Sequence, residues 1–160
     1  MNRRIELKVS LEVIQKKDWS EEESILISRA TEILELAHAP YSGFLVGAAL
    51  LLEDGSIFVA NNQENVSFPV GVCAERAVLS YAMGNHPNLR PLKLAIVAKR
   101  KDEKKMATVT PCGLCRQTIN EYEVKFGQPI DLLMLNPEGE ILKASGIEQL
   151  LPFRFNDLNS

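Results

Sequence analysis

The chain has 160 residues, 46% of them hydrophobic, enough for one compact domain with its own core and too little for two. A formal charge of −3 and a pI near 5.5 offer no basic surface to a phosphate backbone, so nucleic acid is not expected as a partner. The longest apolar run, residues 44–52, is far short of the ~20 residues of a membrane span, and the start MNRRIELKVS lacks the solid apolar stretch of a signal peptide; no membrane partner and a cytoplasmic location are expected.

Ile5, Leu7, Val9, Leu11 and Val13 alternate with polar residues, a period of two that predicts an edge strand or extended arm within residues 1–17. Ser20 followed by Glu23 has the form of a capping box, and apolar residues then recur at helical spacing. A first helix is expected over residues 20–38, ended by Pro40. Residues 44–52 and 56–60 are apolar runs separated by Glu53-Asp54-Gly55, which predicts an antiparallel hairpin. A polar loop over 61–71 leads into Cys73-Ala74-Glu75-Arg76, where a second helix opens and runs to about 84–87. Residues 92–98 read as a buried strand. Residues 99–105 read as a solvated turn in which Asp102 and Glu103 interrupt five basic residues. Pro111-Cys112-Gly113-Leu114-Cys115 starts a third helix, which reaches about Phe126 and is closed by Gly127 and Pro129. Two more strands, 130–135 and 140–144, flank an Asn-Pro-Glu-Gly turn. The order α-β-β-α-β-α-β-β implies a single domain over 18–160. Its expected architecture is an α/β fold, a three-layer α/β/α sandwich around a five-stranded mixed sheet with parallel pairs in its second half.

All three cysteines fall in the first turn of an expected helix, where the helix dipole and free backbone amides favour the thiolate. A helical Cys-x-x-Cys can set Cys112 and Cys115 on one ion, and Cys73 can supply a third ligand if the two helix N-termini meet. Three protein ligands leave tetrahedral zinc one open position, the arrangement of catalytic sites, and a water there can have its pKa lowered from about 15.7 to ~7. Glu75, in the same turn as Cys73, is placed beside the metal without binding it and can carry a proton from water to substrate. Arg76 and Arg116, each directly after a motif, are expected to offset the negative site by donating hydrogen bonds to sulfur. Alone, Pro-Cys-x-x-Cys reads equally well as a thiol-redox pair; Cys73 and Glu75 favour the metal. A structural zinc would need a fourth ligand. The nitrogen candidates, His38 and His86, lack ligand spacing and suit capping or surface roles.

These segments resemble a known family. Cys73-Ala74-Glu75-Arg76 and Pro111-Cys112-Gly113-Leu114-Cys115-Arg116-Gln117 are similar to the two zinc motifs of the homotetrameric, short-chain cytidine deaminases. Residues 39–50 resemble that family's first helix-to-strand junction, Asn62-Gln63-Glu64-Asn65 its nucleoside loop, and Leu150-Leu151-Pro152 with Phe155 its C-terminal segment, together covering residues 20–158. The resemblance implies the cytidine deaminase-like fold, one Zn2+ per chain on Cys73, Cys112 and Cys115, and hydrolysis of cytidine and 2′-deoxycytidine to the uridines plus ammonia in pyrimidine salvage. In that scheme zinc-bound hydroxide attacks C4 and Glu75 protonates N3. Asn62 and Glu64 would hold the ribose 3′-hydroxyl, Phe44 would pack on the pyrimidine and the Ala74 amide would meet the base carbonyl. The Thr110 carbonyl would lie near the leaving amine, and Phe155 would enter a neighbouring subunit's site, which implies a homotetramer. Taken alone, Glu64 reads as a solvated carboxylate and Phe44 as core. The arm through Lys17, the insert at 99–105, Gln63 and Phe153-Arg154 depart from the shortest members. Two competing readings are a deaminase of a modified cytosine nucleoside such as blasticidin S, against which Arg76 and the ribose loop argue, and a non-catalytic zinc or thiol-redox protein.

Overall fold

The computed structural model describes residues 1–156, so residues 157–160, the end of the expected domain, lie outside the described residues. The elements in chain order are β1 Glu12–Ile14, α1 Glu21–Leu34, β2 Phe44–Leu52, β3 Ile57–Asn61, α2 Ala74–Asn85, β4 Pro91–Arg100, α3 Gly113–Phe126, β5 Asp131–Leu135 and β6 Ile141–Ser145. The capping box at the start of α1 is formed: Ser20 Oγ accepts from the Glu23 amide at 3.1 Å, and Glu23 Oε2 accepts from the Ser20 amide at 2.9 Å. The helix stops at Leu34, short of the expected His38, because the chain tightens into i→i−3 turns, from Leu36 N–H to Ile33 O and from Ala37 N–H to Leu34 O.

The sheet has six strands in the order β1-β6-β5-β4-β2-β3, one more than expected. The extra strand is the end of the N-terminal arm, whose Val13 lies opposite Leu142 in an antiparallel pair with β6. The pairing ends at Glu12. Beyond it Ser10 N–H donates to Gln149 Oε1 instead of continuing the ladder, so the arm is an edge strand for three residues and unpaired before them. Of the parallel pairs expected in the second half, β4 with β5 is parallel, whereas β5 and β6 form an antiparallel hairpin.

Strand alternation sorts the core into two layers. Leu45, Ala49 and Leu51 of β2, with Ala95 and Val97 of β4 and Leu133 of β5, face α1 through its Leu26, Ile27, Ala30 and Leu34. Ala48, Leu50 and Leu52, with Leu94, Ile96, Leu132 and Met134, face α2 and α3 through Val78, Leu79 and Ile119. Each fully buried Leu or Ile contributes about 1.5–3 kcal/mol, so a strand buried on both faces stabilises both layers at once. Phe44 and Val46 lie on the α2–α3 face, at the end of β2 where the layer opens.

Near the end of α3 a single carboxylate joins three segments. Glu123 Oε1 accepts from the amides of Ile130 at 2.9 Å and Ile147 at 2.8 Å, and Oε2 lies 3.3 Å from Arg154 Nη1. Burial pushes the Glu123 carboxyl above its usual range, while the two amides and Arg154 oppose that shift. Glu123→Ala leaves two amides and a guanidinium without their acceptor and should cost about 2–5 kcal/mol in urea unfolding, whereas Glu123→Gln keeps an oxygen for the amides and should cost about 1–2 kcal/mol. Equal losses for the two variants would show that the hydrogen bonds do not matter.

Candidate active site

The site forms where the N-termini of α2 and α3 meet. Cys73 is the N-cap of α2, Cys112 the N-cap of α3, and Cys115 sits one turn into α3. Cys73 Sγ lies 4.0 Å from Cys112 Sγ, which lies 3.5 Å from Cys115 Sγ, and all three sulfurs are within 4.8 Å of one another. Tetrahedral zinc with sulfur at ~2.3 Å needs neighbouring sulfurs ~3.8 Å apart, so the cluster fits that ion. Among the described residues no histidine or carboxylate joins it, which leaves the fourth position of a tetrahedral ion open. His86 instead packs its ring 5.1 Å from that of Phe58. Of the sulfurs, Cys73 ionises readily: its thiol is held down to about 6, chiefly by a hydrogen bond with Cys115, with Cys112 and the Arg76 charge adding to this. The Cys115 thiol is pushed far up by the same contact and by burial.

Glu75, the second residue of α2, is 4% exposed, and burial raises its carboxyl to about 7, helped by the neighbouring Cys73. A carboxylate with that value changes protonation near neutral pH, as a proton carrier must. It lines a cavity of about 460 Å³ together with Phe44, Asn62, Glu64, Cys73, Thr110 and Cys112. Ala74, the first residue of α2, is buried behind the wall, and its amide is one of the helix-start N–H groups that lack an intrahelical acceptor.

Residues 20–126 match the model of the cytidine and deoxycytidylate deaminase zinc-binding region. The chain belongs to this family. It is 36% identical over 132 residues to the cytidine deaminase of Sporosarcina psychrophila, covering 82% of this chain and 89% of that one. The crystal structure of cytidine deaminase from Burkholderia pseudomallei is 33% identical and superposes with a TM-score of 0.69, over 82% of this chain and 98% of that one. The blasticidin-S deaminase of Bacillus cereus is more distant, 28% identical over 138 residues, covering 85% of this chain and 94% of that one.

Within this deaminase fold the two loop residues expected to hold a nucleoside are themselves held. Asn62 Oδ1 accepts from the Val46 amide at 2.8 Å, and its Nδ2 donates to Phe44 O at 2.9 Å, so the side chain clamps the end of β2. Glu64 accepts from the Tyr41 amide at 2.8 Å, the Ser42 amide at 3.2 Å and the Ser42 hydroxyl, and that hydroxyl holds its carboxyl below the usual range. Each group keeps capacity for one more hydrogen-bond partner, and both residues line the cavity. The loop that carries them is tied down by paired bonds between Gln63 and Val72 and by the Glu64 amide on His38 O.

The two arginines differ from expectation. Neither donates to sulfur among the described residues. Arg76 acts on Cys73 through its charge, and Arg116 donates instead to Pro111 O at 2.7 Å and Leu150 O at 2.6 Å. With its guanidinium taken up by these two backbone carbonyls, Arg116 fastens the lead-in to the zinc motif onto the C-terminal segment. Phe155 is absent from the cavity lining: its carbonyl accepts from Gln117 Nε2 and Asn120 Nδ2, and the residue is 63% exposed. Sequence reasoning missed Ser42, Asn120 and Arg100, whose guanidinium stands 5.9 Å over the Phe44 ring. Ser42 lies 22 residues from the carboxylate it holds, a separation that no local pattern reports.

Proposed function

We propose that this chain hydrolyses cytidine and 2′-deoxycytidine to uridine and 2′-deoxyuridine, releasing ammonia. The observation that carries the reading is the meeting of the three-sulfur cluster and buried Glu75 at a cavity that Phe44, Asn62 and Glu64 also line. When bound by the three thiolates, zinc supplies an open position at which water becomes nucleophilic near neutral pH. Glu75 takes the proton of the attacking water on its carboxylate and delivers it to N3 as C4 becomes tetrahedral. Glu75 then takes the remaining proton from the C4 hydroxyl and passes it to the amino nitrogen, the C4–N bond breaks, and ammonia leaves as the C4 carbonyl forms. The Ala74 amide donates to the base carbonyl, the Thr110 carbonyl accepts from the leaving amine, and Phe44 packs on the ring. Asn62 and the ionised Glu64 use their remaining hydrogen-bonding capacity on the ribose 3′-hydroxyl.

The same reading makes residues 18–160 the catalytic domain and residues 1–17 an appended arm. It places Phe155 in the site of a neighbouring subunit of a homotetramer, which its exposure supports; a fully active monomer by light scattering would overturn that. No helix among the described residues is long and apolar enough to cross a membrane. Three thiolate ligands require reduced cysteines, which suits a cytoplasmic role in pyrimidine salvage. The test is the cytidine-to-uridine absorbance change and ammonia release on purified protein, with zinc counted on the same sample. Turnover that scales with zinc supports the proposal. Full zinc with turnover of blasticidin S but not of cytidine would replace the substrate, and full zinc with neither would overturn the enzyme reading.

A further inference from the structure

At the start of the chain, five apolar side chains at strand spacing stand in water. Ile5, Leu7, Val9, Leu11 and Val13 are 39–66% exposed. The backbone that carries the first four is also unpaired: among the described residues, residues 1–11 make one hydrogen bond to the rest of the chain, from Ser10 N–H to Gln149 Oε1, and the ladder to β6 begins only at Glu12, which leaves Val13 alone of the five in a paired strand. An extended segment with an apolar row on one face, charges on the other and a free backbone edge is a strand that lacks its neighbour.

The charges select that neighbour. Glu6 and Lys8 flank Leu7, and Arg4 lies 3.4 Å from Glu6 on the same polar face. In a twofold antiparallel pairing of this segment with a second copy, an axis passing through a residue sets odd positions opposite odd ones and keeps the apolar row on one face. An axis at Glu6 opposes Glu6 to Glu6 and Arg4 to Lys8; one at Lys8 opposes Lys8 to Lys8; one at Val9 opposes Glu6 to Glu12. An axis at Ile5 opposes Arg4 to Glu6 favourably but sets Arg3 against Leu7 directly beside the centre, so that Ile5 with Ile5 is its one central apolar pair, whereas an axis at Leu7 moves Arg3 to the ribbon's end, opposite Leu11. An axis at Leu7 opposes Glu6 to the second copy's Lys8 twice, Leu7 to Leu7, and Ile5 to Val9 twice, so every charged and apolar pair near the centre is favourable. We propose that residues 3–11 pair with the same segment of a second copy of this chain as an antiparallel ribbon whose twofold axis passes through Leu7. The self-complementary charge order makes another copy, and not an unrelated protein, the fitting occupant. The ribbon extends the sheet edge begun by β1 and covers the apolar row that the single chain leaves in water.

The test is cross-linking of the zinc-loaded full-length chain with a short bis-maleimide, the unsubstituted chain setting the background from its own cysteines. Leu7→Cys brings two thiols together at the axis, with Cα atoms ~5.5 Å apart, whereas Val9→Cys leaves them about four residues, or ~13 Å, out of register. These side chains are exposed, so neither change disturbs the core. Leu7→Cys should give about tenfold more covalent dimer than Val9→Cys. Adding Lys8→Glu should cut that yield about fivefold, and adding Glu6→Lys as well should restore it. Equal yields at positions 7 and 9, or a yield indifferent to Lys8→Glu, would overturn the ribbon.

Discussion

Glu75→Gln is expected to lower kcat for cytidine by about 10²–10⁴-fold while zinc stays bound. The substitution keeps shape and volume and removes only the ability to hold and release a proton. Because Glu75 lies outside the sulfur cluster, metal content should not change. Loss of zinc together with activity would instead make Glu75 a ligand or a structural support, and unchanged kcat would remove it from the proton path. A second measurement isolates the physical cause. In chelator-stripped protein the Glu75 carboxyl rises from 4.5 to about 7 because it is buried. The stability that its neutral form contributes is therefore fully present below pH 4.5 and lost as pH rises through 7, an effect of ~3 kcal/mol. A glutamine side chain is neutral at every pH, so stripped Glu75→Gln protein should be more stable than the stripped parent at pH 8 and about equal to it at pH 4. Urea titrations at the two pH values read this directly.

Gly47→Ala is the other large effect, and it acts on the fold. Gly47 sits in the middle of β2, opposite Asn61 of β3 and Val97 of β4, with α1 crossing directly over it. A Cβ built there would lie 2.0 Å from the backbone oxygen of Ala30 and 2.9 Å from Leu34 Cβ. A backbone oxygen cannot swing aside, so α1 must lift away from the sheet, opening the layer formed by Leu26, Ile27 and Leu34. Overpacking of this kind costs typically 1–3 kcal/mol, and the rigid backbone contact puts Gly47→Ala at or above the upper end, about 3–5 kcal/mol. For a chain of this size that corresponds to a fall in Tm of roughly 6–20 °C. Val46 and Phe44, which Asn62 clamps, are on the same strand, so cytidine KM should rise as well. A fall in Tm of less than about 2 °C would mean that α1 can shift freely and that the close approach is incidental.

Most elements were legible in the sequence because their signals act over a few residues. The capping box at Ser20 and Glu23, the turn at Glu53-Asp54-Gly55 and the left-handed Gly127 that closes α3 are each local, and each is formed as expected. The placement of all three cysteines at helix starts was local too, which is why the metal set could be named. Less accessible was anything that depends on which side chain reaches which backbone group. The resemblance implies nucleoside contacts for Asn62 and Glu64, and only the structure adds that each also clamps backbone amides of the β2 end or its approach. Arg116 was expected on sulfur and is found on two carbonyls, because its direction follows the packing of α3 against the C-terminal segment. The arm showed its alternation, but only the free edge of β6 decided that Glu12–Ile14 would pair and that the sheet would have six strands.

By itself, then, the sequence determined the order of helices and strands, the residues able to bind zinc and the family to which the chain belongs, since periodicity, caps and short motifs are properties of neighbouring residues. The tertiary structure alone decided that Cys73 and Cys112, 39 positions apart, stand 4.0 Å from each other, that Glu75 is buried enough to titrate near neutral pH, and that Gly47 must have no side chain. Those outcomes depend on how the six-strand sheet stacks its two helical layers, and stacking is a sum over distant contacts that no short stretch of sequence contains.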